Sequence, residues 1–396
     1  MSDTADIVVI GAGVNGASTA FHLARRGAGR IVILEQGPVA NGATGKSGAL
    51  VRCHYSNQPE TELAFHSLEY FHNWDELVGG DCGFVQAGLL VLTKPDSRAQ
   101  LEHNVRMQQG VGVNTSVISQ ADALELDPEL NVEDVGGIAW EPEAGYADPH
   151  ATTFGFLDAA TRLGAELRLD NAATAIIVEA GKVRGVRTAD GVIHTDTVVL
   201  AGGAWARKLL DPLGIDNIGL IPTATSVSIF RHPPGLRPQH PTYIDHTHNS
   251  WLRPYGNSMT LIGTELGAVT NIEPDGYPEA PGQAYVEMCH QKLTARMPNM
   301  RQATMRGAWT GLIMRSEDSH PVIDHLPQAS GLFLMSGDSG SSFKTAPAIG
   351  KCLSEWIVEG KPTTVDLTPF RAGRFAAGEL WRDEHSYSSA AQTISR

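Results

Sequence analysis

The ten residues Ile7-Val8-Val9-Ile10-Gly11-Ala12-Gly13-Val14-Asn15-Gly16 restrict what this chain can become more than any other stretch. Four branched apolar residues in a row make a buried strand, and glycines at 11, 13 and 16 then turn the chain sharply. The apolar spacing of Phe21, Leu23 and Ala24 predicts a helix from about residue 17 to about residue 26, stopped by Gly27 and Gly29. A second apolar strand, Ile31-Val32-Ile33-Leu34, ends in Glu35. This is a strand-helix-strand unit with a glycine turn at the positive end of its helix. Such a turn lets the backbone approach a pyrophosphate, and an acid about twenty residues on accepts ribose hydroxyls. The unit therefore reads as a site for the ADP half of a dinucleotide.

The rest of the chain narrows the class. Its 396 residues suffice for two or more domain-sized units. No apolar run approaches the roughly eighteen residues of a membrane span. The start, Met1-Ser2-Asp3-Thr4-Ala5-Asp6, is acidic and lacks the basic, apolar grammar of a secretory signal, so a cytoplasmic protein is expected. With 30 basic and 44 acidic residues the formal charge is −14, which repels phosphate backbones and argues against nucleic acid as a partner. Cys53, Cys82, Cys289 and Cys352 are widely separated and fit reduced thiols better than a disulfide frame or a zinc site. The run Asp245-His246-Thr247-His248 invites a metal reading, but alternate histidines on a strand chelate poorly. No metal is expected.

Taken in order, Gln36 leads through Gly37 and Pro38 into the small-residue run Asn41–Gly48, poor material for helix or strand and suited to a loop lying against a flat or anionic ligand. Helices are expected around residues 60–77 and 98–110, with a glycine-punctuated strand pair between Gly83 and Leu92. Asp148 is placed to cap a helix with an apolar stripe of Phe154, Phe156, Leu157 and Ala160, ending at Gly164. Short strands with hairpin signals at Ala180-Gly181 and Asp190-Gly191 follow, then the buried strand Thr197–Leu200 running into Ala201-Gly202-Gly203-Ala204-Trp205. Residues 222–305 read as a second, mainly antiparallel domain. Gly331–Met335 returns to a buried strand, empties into Ser336–Lys344, and a helix from about residue 346 to about residue 358 has Pro347 in its first turn. After Phe370 the tail is polar and poor in core residues, and a mobile or partner-dependent end is expected.

Five places in this order resemble the D-amino-acid-oxidase superfamily of FAD enzymes, and within it the sarcosine oxidase and glycine oxidase branch. They are the N-terminal unit with Glu35, the loop Gly42–Arg52, Gly145-Tyr146-Ala147-Asp148-Pro149, the stretch Val198–Trp205, and the C-terminal stretch. The last runs from Trp309-Thr310-Gly311-Leu312 through Asp318 and Pro321–Asp324 to Gly337–Lys344 and Pro347. The resemblance implies a mixed α/β fold. A discontinuous Rossmann-like FAD domain would take residues 1–82, 146–222 and 306–370, and a substrate domain on an antiparallel sheet would take residues 83–145 and 223–305. Residues 371–396 would form the tail.

It also implies positions. FAD would be held by Gly11, Gly13, Val14, Asn15, Gly16, Glu35 and Gln36 near the first turn. From the following loop it would meet Thr44, Lys46, Ser47, Gly48, Ala49 and Leu50. Val178, Ala201, Gly202, Trp205 and Gly311 would touch it from the middle of the chain, and Gly337, Gly340, Ser341, Ser342, Phe343 and Lys344 from the C-terminal turn. The enzyme would oxidise the C–N bond of a small amine or amino acid, most simply an N-methyl or other secondary amino acid, by hydride transfer to flavin N5. O2 or another electron acceptor would take the electrons. Arg52 and Lys344 match the family's carboxylate anchor, since a planar guanidinium holds a carboxylate bidentately and an ammonium adds charge. The alternative for both is an ordinary surface cation. Trp251 would line the substrate pocket, and His320 is a candidate base.

Two departures stand out. Gly311 occupies the position of the cysteine that binds flavin covalently in some sarcosine oxidases, so non-covalent FAD is expected, with Cys53, His54 and His150 left as candidates for an unusual link. Leu261 occupies the position of the lysine that activates oxygen, so oxidase and dehydrogenase both remain open. Competing readings are a D-amino-acid oxidase or dehydrogenase, a flavin subunit of a multimeric amine dehydrogenase, and a tRNA-modifying flavoprotein. A homo-oligomer or hetero-complex is compatible with all of them.

Overall fold

The computed structural model describes residues 3–236 and 239–387. Its centre is a six-stranded sheet in the order Val322–His325, Leu332–Ser336, Val198–Leu200, Ile7–Ile10, Ile31–Leu34, Glu166–Arg168. All pairs are parallel except the edge pair formed by Val322–His325. Ile7–Ile10, Ile31–Leu34, Val198–Leu200 and Leu332–Ser336 are buried along their whole length, as strands covered on both faces must be. Each fully buried Val, Ile or Leu side chain contributes about 1.5–3 kcal/mol. The helix Val14–Arg25 crosses one face of the sheet beside Pro149–Arg162 and Ala346–Glu359.

The second unit is a nine-stranded sheet, antiparallel apart from the pair between Thr242–Asp245 and Leu89–Thr93. Its longest strands, Leu220–Arg231 and Thr304–Ser316, pair along nearly their full length. A four-stranded sheet carries the two hairpins expected from sequence, with Ala180 and Gly181 left-handed at φ +49° and +74°. Asp148 caps its helix through Ala151 N at 2.8 Å.

Three expectations fail for identifiable reasons. Only Leu89–Thr93 forms a strand between residues 83 and 92. Gly83 and Gly88 are left-handed, at φ +67° and +72°, and Val85 makes one isolated bridge to Tyr146. Phe154 is not part of the buried stripe but points outward, 46% exposed. The helix expected at residues 60–77 breaks at Asn73 into Gln58–His72 and Trp74–Leu77.

As far as Tyr387 the tail is packed against the rest of the chain. Arg374, fully buried, holds the Asp318 carboxylate bidentately at 2.7 and 2.9 Å and donates to the carbonyls of Phe370, Arg371 and His320. Trp381 stacks on His320 with ring centroids 4.1 Å apart, and Tyr387 hydrogen-bonds His54 at 2.8 Å. Polar composition hides this docking because one arginine and a few rings carry it. Residues 388–396 lie outside the described residues. Among the described residues, no helix is long and apolar enough to cross a membrane, and all four cysteines are buried and unpaired.

Candidate active site

The first glycine turn is built for closeness. Gly11 is left-handed, and a Cβ there would stand 2.5 Å from the Ala201 carbonyl. A Cβ on Gly16 would stand 1.9 Å from the Gly11 carbonyl, so the helix can start tight against the strand only with glycine. Gly13, the N-cap of Val14–Arg25, supplies no side-chain cap. Thr44 Oγ1 accepts from Val14 N at 3.2 Å, and Asn15 Nδ2 donates to Ser342 Oγ at 2.9 Å. The two glycine-rich segments thus meet at the helix N-terminus. Asn15 Oδ1 is left buried without a protein partner.

A cleft with about 1100 Å³ of empty space, part of it open to solvent, lies beside this turn. Gly11, Gly13, Asn15, Glu35, Gln36, Thr44, Ala201, Gly202, Trp205 and Ser342 line it. Glu35 accepts from Ala12 N at 2.8 Å and Gly37 N at 3.1 Å, and burial raises its carboxyl above the ordinary value. The sequence reading missed Ala173, Lys208 and Met314 on the same wall.

A second cavity, with about 970 Å³ of empty space that is partly open to solvent, continues from the first through Ala43, Thr44, Asp338 and Ser342, which line both. Its floor comes from Val14, Lys46, Ser47, Gly48, Ala49 and Leu50, and from Gly340, Ser341, Phe343 and Lys344. Its roof is one face of the large sheet. Trp309, Gly311 and Ile313 alternate along one strand, Thr225 and Val227 pair opposite Gly311 and Trp309, and Ile244 pairs with Trp251. The Trp251 ring lies so close to Gly48 and Gly263 that a Cβ on either would come within 2.3 or 2.4 Å of it.

At one end stand two buried cations. The Arg52 guanidinium lies 4.8 Å from the centre of the Tyr55 ring and the Lys344 ammonium 5.0 Å from the same ring. Arg52 donates to the His54 carbonyl and Lys344 to the Ser341 carbonyl at 3.0 Å. They are 4% and 7% exposed, so neither is a surface cation. Asp338 sits where the cavities join, accepts from Ser342 N at 3.2 Å and from the Ser342 hydroxyl, and has its carboxyl raised by burial. The reading from sequence had passed over it.

A family profile described as FAD dependent oxidoreductase, the DAO family, matches residues 6–356. The chain belongs to this family. Glycine oxidase of Geobacillus kaustophilus (strain HTA426) is 25% identical, covering 94% of this chain and 98% of that protein. The chain is 26% identical over 411 residues to mitochondrial sarcosine dehydrogenase of Mus musculus, covering 100% of this chain and 44% of that protein. Sarcosine oxidase subunit beta of an Arthrobacter species is 26% identical, covering 98% of this chain and 94% of the subunit. The crystal structure of L-proline dehydrogenase from P. horikoshii superposes with a TM-score of 0.88 at 26% identity, covering 96% of this chain and 100% of that one. This chain spans less than half the length of the mitochondrial relative.

The residues present fit FAD. The glycine turn excludes any side chain at 11 and 16, Glu35 faces the first cavity, and the orphan Asn15 Oδ1 awaits a donor. Three residues assigned to FAD from sequence do not line either cavity. Gly16 packs the turn. Gly337 bends the C-terminal turn at φ +63°, where a Cβ would meet Leu220 at 2.9 Å. Val178 lies in Ala175–Glu179, packed on the core beneath the parallel sheet.

His320 is not brought to the crevice. Its Nδ1 lies 2.8 Å from Glu60 and its Nε2 3.5 Å from Asp383, under Trp381. Asp245 and His248 join a network around buried Arg296, with contacts of 2.8 Å to Arg296 and 2.9 Å to His248. Leu261 is buried among Val227, Ile229 and neighbouring aromatic rings. Lys46 is the third cation on the crevice wall. Its ammonium donates to Tyr277 OH at 2.6 Å and lies 3.3 Å from Glu279. A Cβ on Gly311 would stand 3.1 Å from Lys46 Cβ.

Proposed function

We propose that this flavoprotein oxidises the C–N bond of a small secondary amino acid, with Arg52 and Lys344 as the anchor for its carboxylate. The observation that carries the reading is the pair of buried cations that both lie within about 5 Å of the Tyr55 ring centre and both line the second cavity. Two of the relatives are named for sarcosine and proline, both secondary amino acids, which supports the substrate class.

Bound FAD supplies the acceptor for a hydride. The protein's own residues do the rest. Arg52 fixes the plane of the carboxylate through two hydrogen bonds, and Lys344 adds charge from the side of the glycine turn. Leu50, Ile244, Trp251 and Ile313 give the cavity an apolar lining suited to a short side chain. In that apolar setting an amine binds neutral, ready to give up hydride without a side-chain base. The uncapped N-terminus of Ala346–Glu359 follows the Ser341–Lys344 turn and favours negative charge nearby.

The flavin is non-covalent on this reading, because Gly311 offers no sulfur, and acid denaturation releases it to the supernatant. Since Leu261 is apolar and Lys46 is engaged by Tyr277 and Glu279, the acceptor proposed is one other than O2. The test is stopped-flow reduction by sarcosine, proline and their D and primary counterparts, followed by reoxidation with air or with a quinone-type dye. Secondary acids reduce fastest and air reoxidises slowly; preferential reduction by primary D-amino acids would replace the substrate assignment.

A further inference from the structure

Behind the anchor lies a buried acid that the reaction as described does not use. Glu141 ends the strand Gly137–Glu141 and is 2% exposed. Its Oε2 accepts from Cys53 N at 3.0 Å, in the residue after Arg52. Its Oε1 has no hydrogen-bond partner and faces His54 Nδ1, also without one, across 3.8 Å. His54 Nε2 hydrogen-bonds Tyr387 OH at 2.8 Å, and the His54 carbonyl accepts from the Arg52 guanidinium. One histidine therefore connects the anchor arginine, the buried acid and the docked tail.

The charges facing this acid come from several elements. Arg52 and His54 follow the short strand Leu50–Val51, Lys344 comes from the C-terminal turn, Glu143 from its own turn and Tyr387 from the tail. His54 in turn faces Arg52, His246 and Gln108, and burial together with Arg52 keeps it neutral. Burial pushes the Glu141 carboxyl up to about 7, against the pull of Arg52 and Lys344. An arriving carboxylate competes for the same two cations and adds a like charge, which favours the protonated acid.

We propose that Glu141 sets the charge of the Arg52–Lys344 clamp and takes up a proton when the clamp takes a carboxylate, with His54 and Tyr387 as positioning residues. This rests on the anchor reading above. By reciprocity, the same coupling makes carboxylate affinity fall as Glu141 ionises.

The experiment titrates the FAD-loaded protein with acetate, following the flavin spectrum for binding and an indicator dye in weak buffer for protons. Wild type takes up a substantial fraction of a proton per acetate near neutral pH, and its acetate Kd rises roughly five- to tenfold between about pH 6.5 and pH 8.5. Glu141→Gln takes up none, and its Kd is flat. Equal uptake and slope in the two proteins overturn the proposal. In wild type alone, 13C-labelled acetate raises the infrared carbonyl band of a protonated buried carboxyl; no such band also overturns it. Acetate that binds Arg52→Ala as tightly as wild type removes the anchor itself, a failure distinct from loss of the proton coupling.

Discussion

At the scale of single residues, the site is an arrangement of charges held out of water. Arg52 and Lys344 are buried, and each donates to a backbone carbonyl, Arg52 to that of His54 and Lys344 to that of Ser341. Charge-assisted bonds of this kind contribute about 1.5–3 kcal/mol each. Arg52→Ala is expected to raise KM about thirtyfold or more with FAD retained, and Lys344→Ala somewhat less; unchanged steady-state kinetics in both would remove the anchor. Glu141 also links stability to pH. Its folded carboxyl is raised from 4.5 to about 7, so the unfolded chain releases that proton first. The contribution is complete below about pH 4.5 and is lost as pH rises through about 7, a change of about 3 kcal/mol. Urea titrations of wild type and Glu141→Gln check this, and the variant should lack that component of the pH dependence. Most of these positions were legible, since a Gly/Ser run ending in arginine or lysine is distinctive. His320 was a candidate base only because a histidine titrates near neutral pH, whereas its partners Glu60 and Asp383 come from far away in sequence and hold it outside the crevice.

At the scale of elements, continuous apolar runs between glycines revealed the parallel strands, because strands covered on both faces need no polar residue. The strand pair expected at 83–92 failed where left-handed glycines break a ladder that composition alone suggests. Val178 went astray because its alternating strand belongs to the accessory sheet, while Ala173, just before that strand, reaches the cavity. Helix packing depends on contacts no local pattern reveals. A Cβ on Gly350 would lie 2.3 Å from Ser18 Oγ and 2.6 Å from the Ser18 backbone carbon. Gly350→Ala therefore costs about 1–3 kcal/mol despite alanine's better helix propensity. A melting temperature unchanged or raised in the variant would contradict that packing.

At the scale of the whole molecule, two sheets and two glycine-rich turns from opposite ends of the chain enclose one crevice, and the tail is locked to the body through His54, Asp318 and His320. Arg374 is the key to that lock, since its removal leaves the Asp318 carboxylate buried and unpaired. Arg374→Ala is expected to destabilise the fold by about 3–5 kcal/mol, measurable by denaturant unfolding, and a loss under about 1 kcal/mol would show the tail to be dispensable. Sequence could not reveal this docking, because buried ion pairs leave no periodic trace. The central claim is that the crevice holds flavin beside a cationic grip for an acid bearing a secondary amine. Anaerobic titration of the purified yellow protein with sarcosine and proline tests it most directly. The account predicts bleaching of the flavin by at least one of them in wild type and loss of that bleaching at the same concentrations in Arg52→Ala. Bleaching that is equal in both proteins, or driven by amines without a carboxylate, would contradict it.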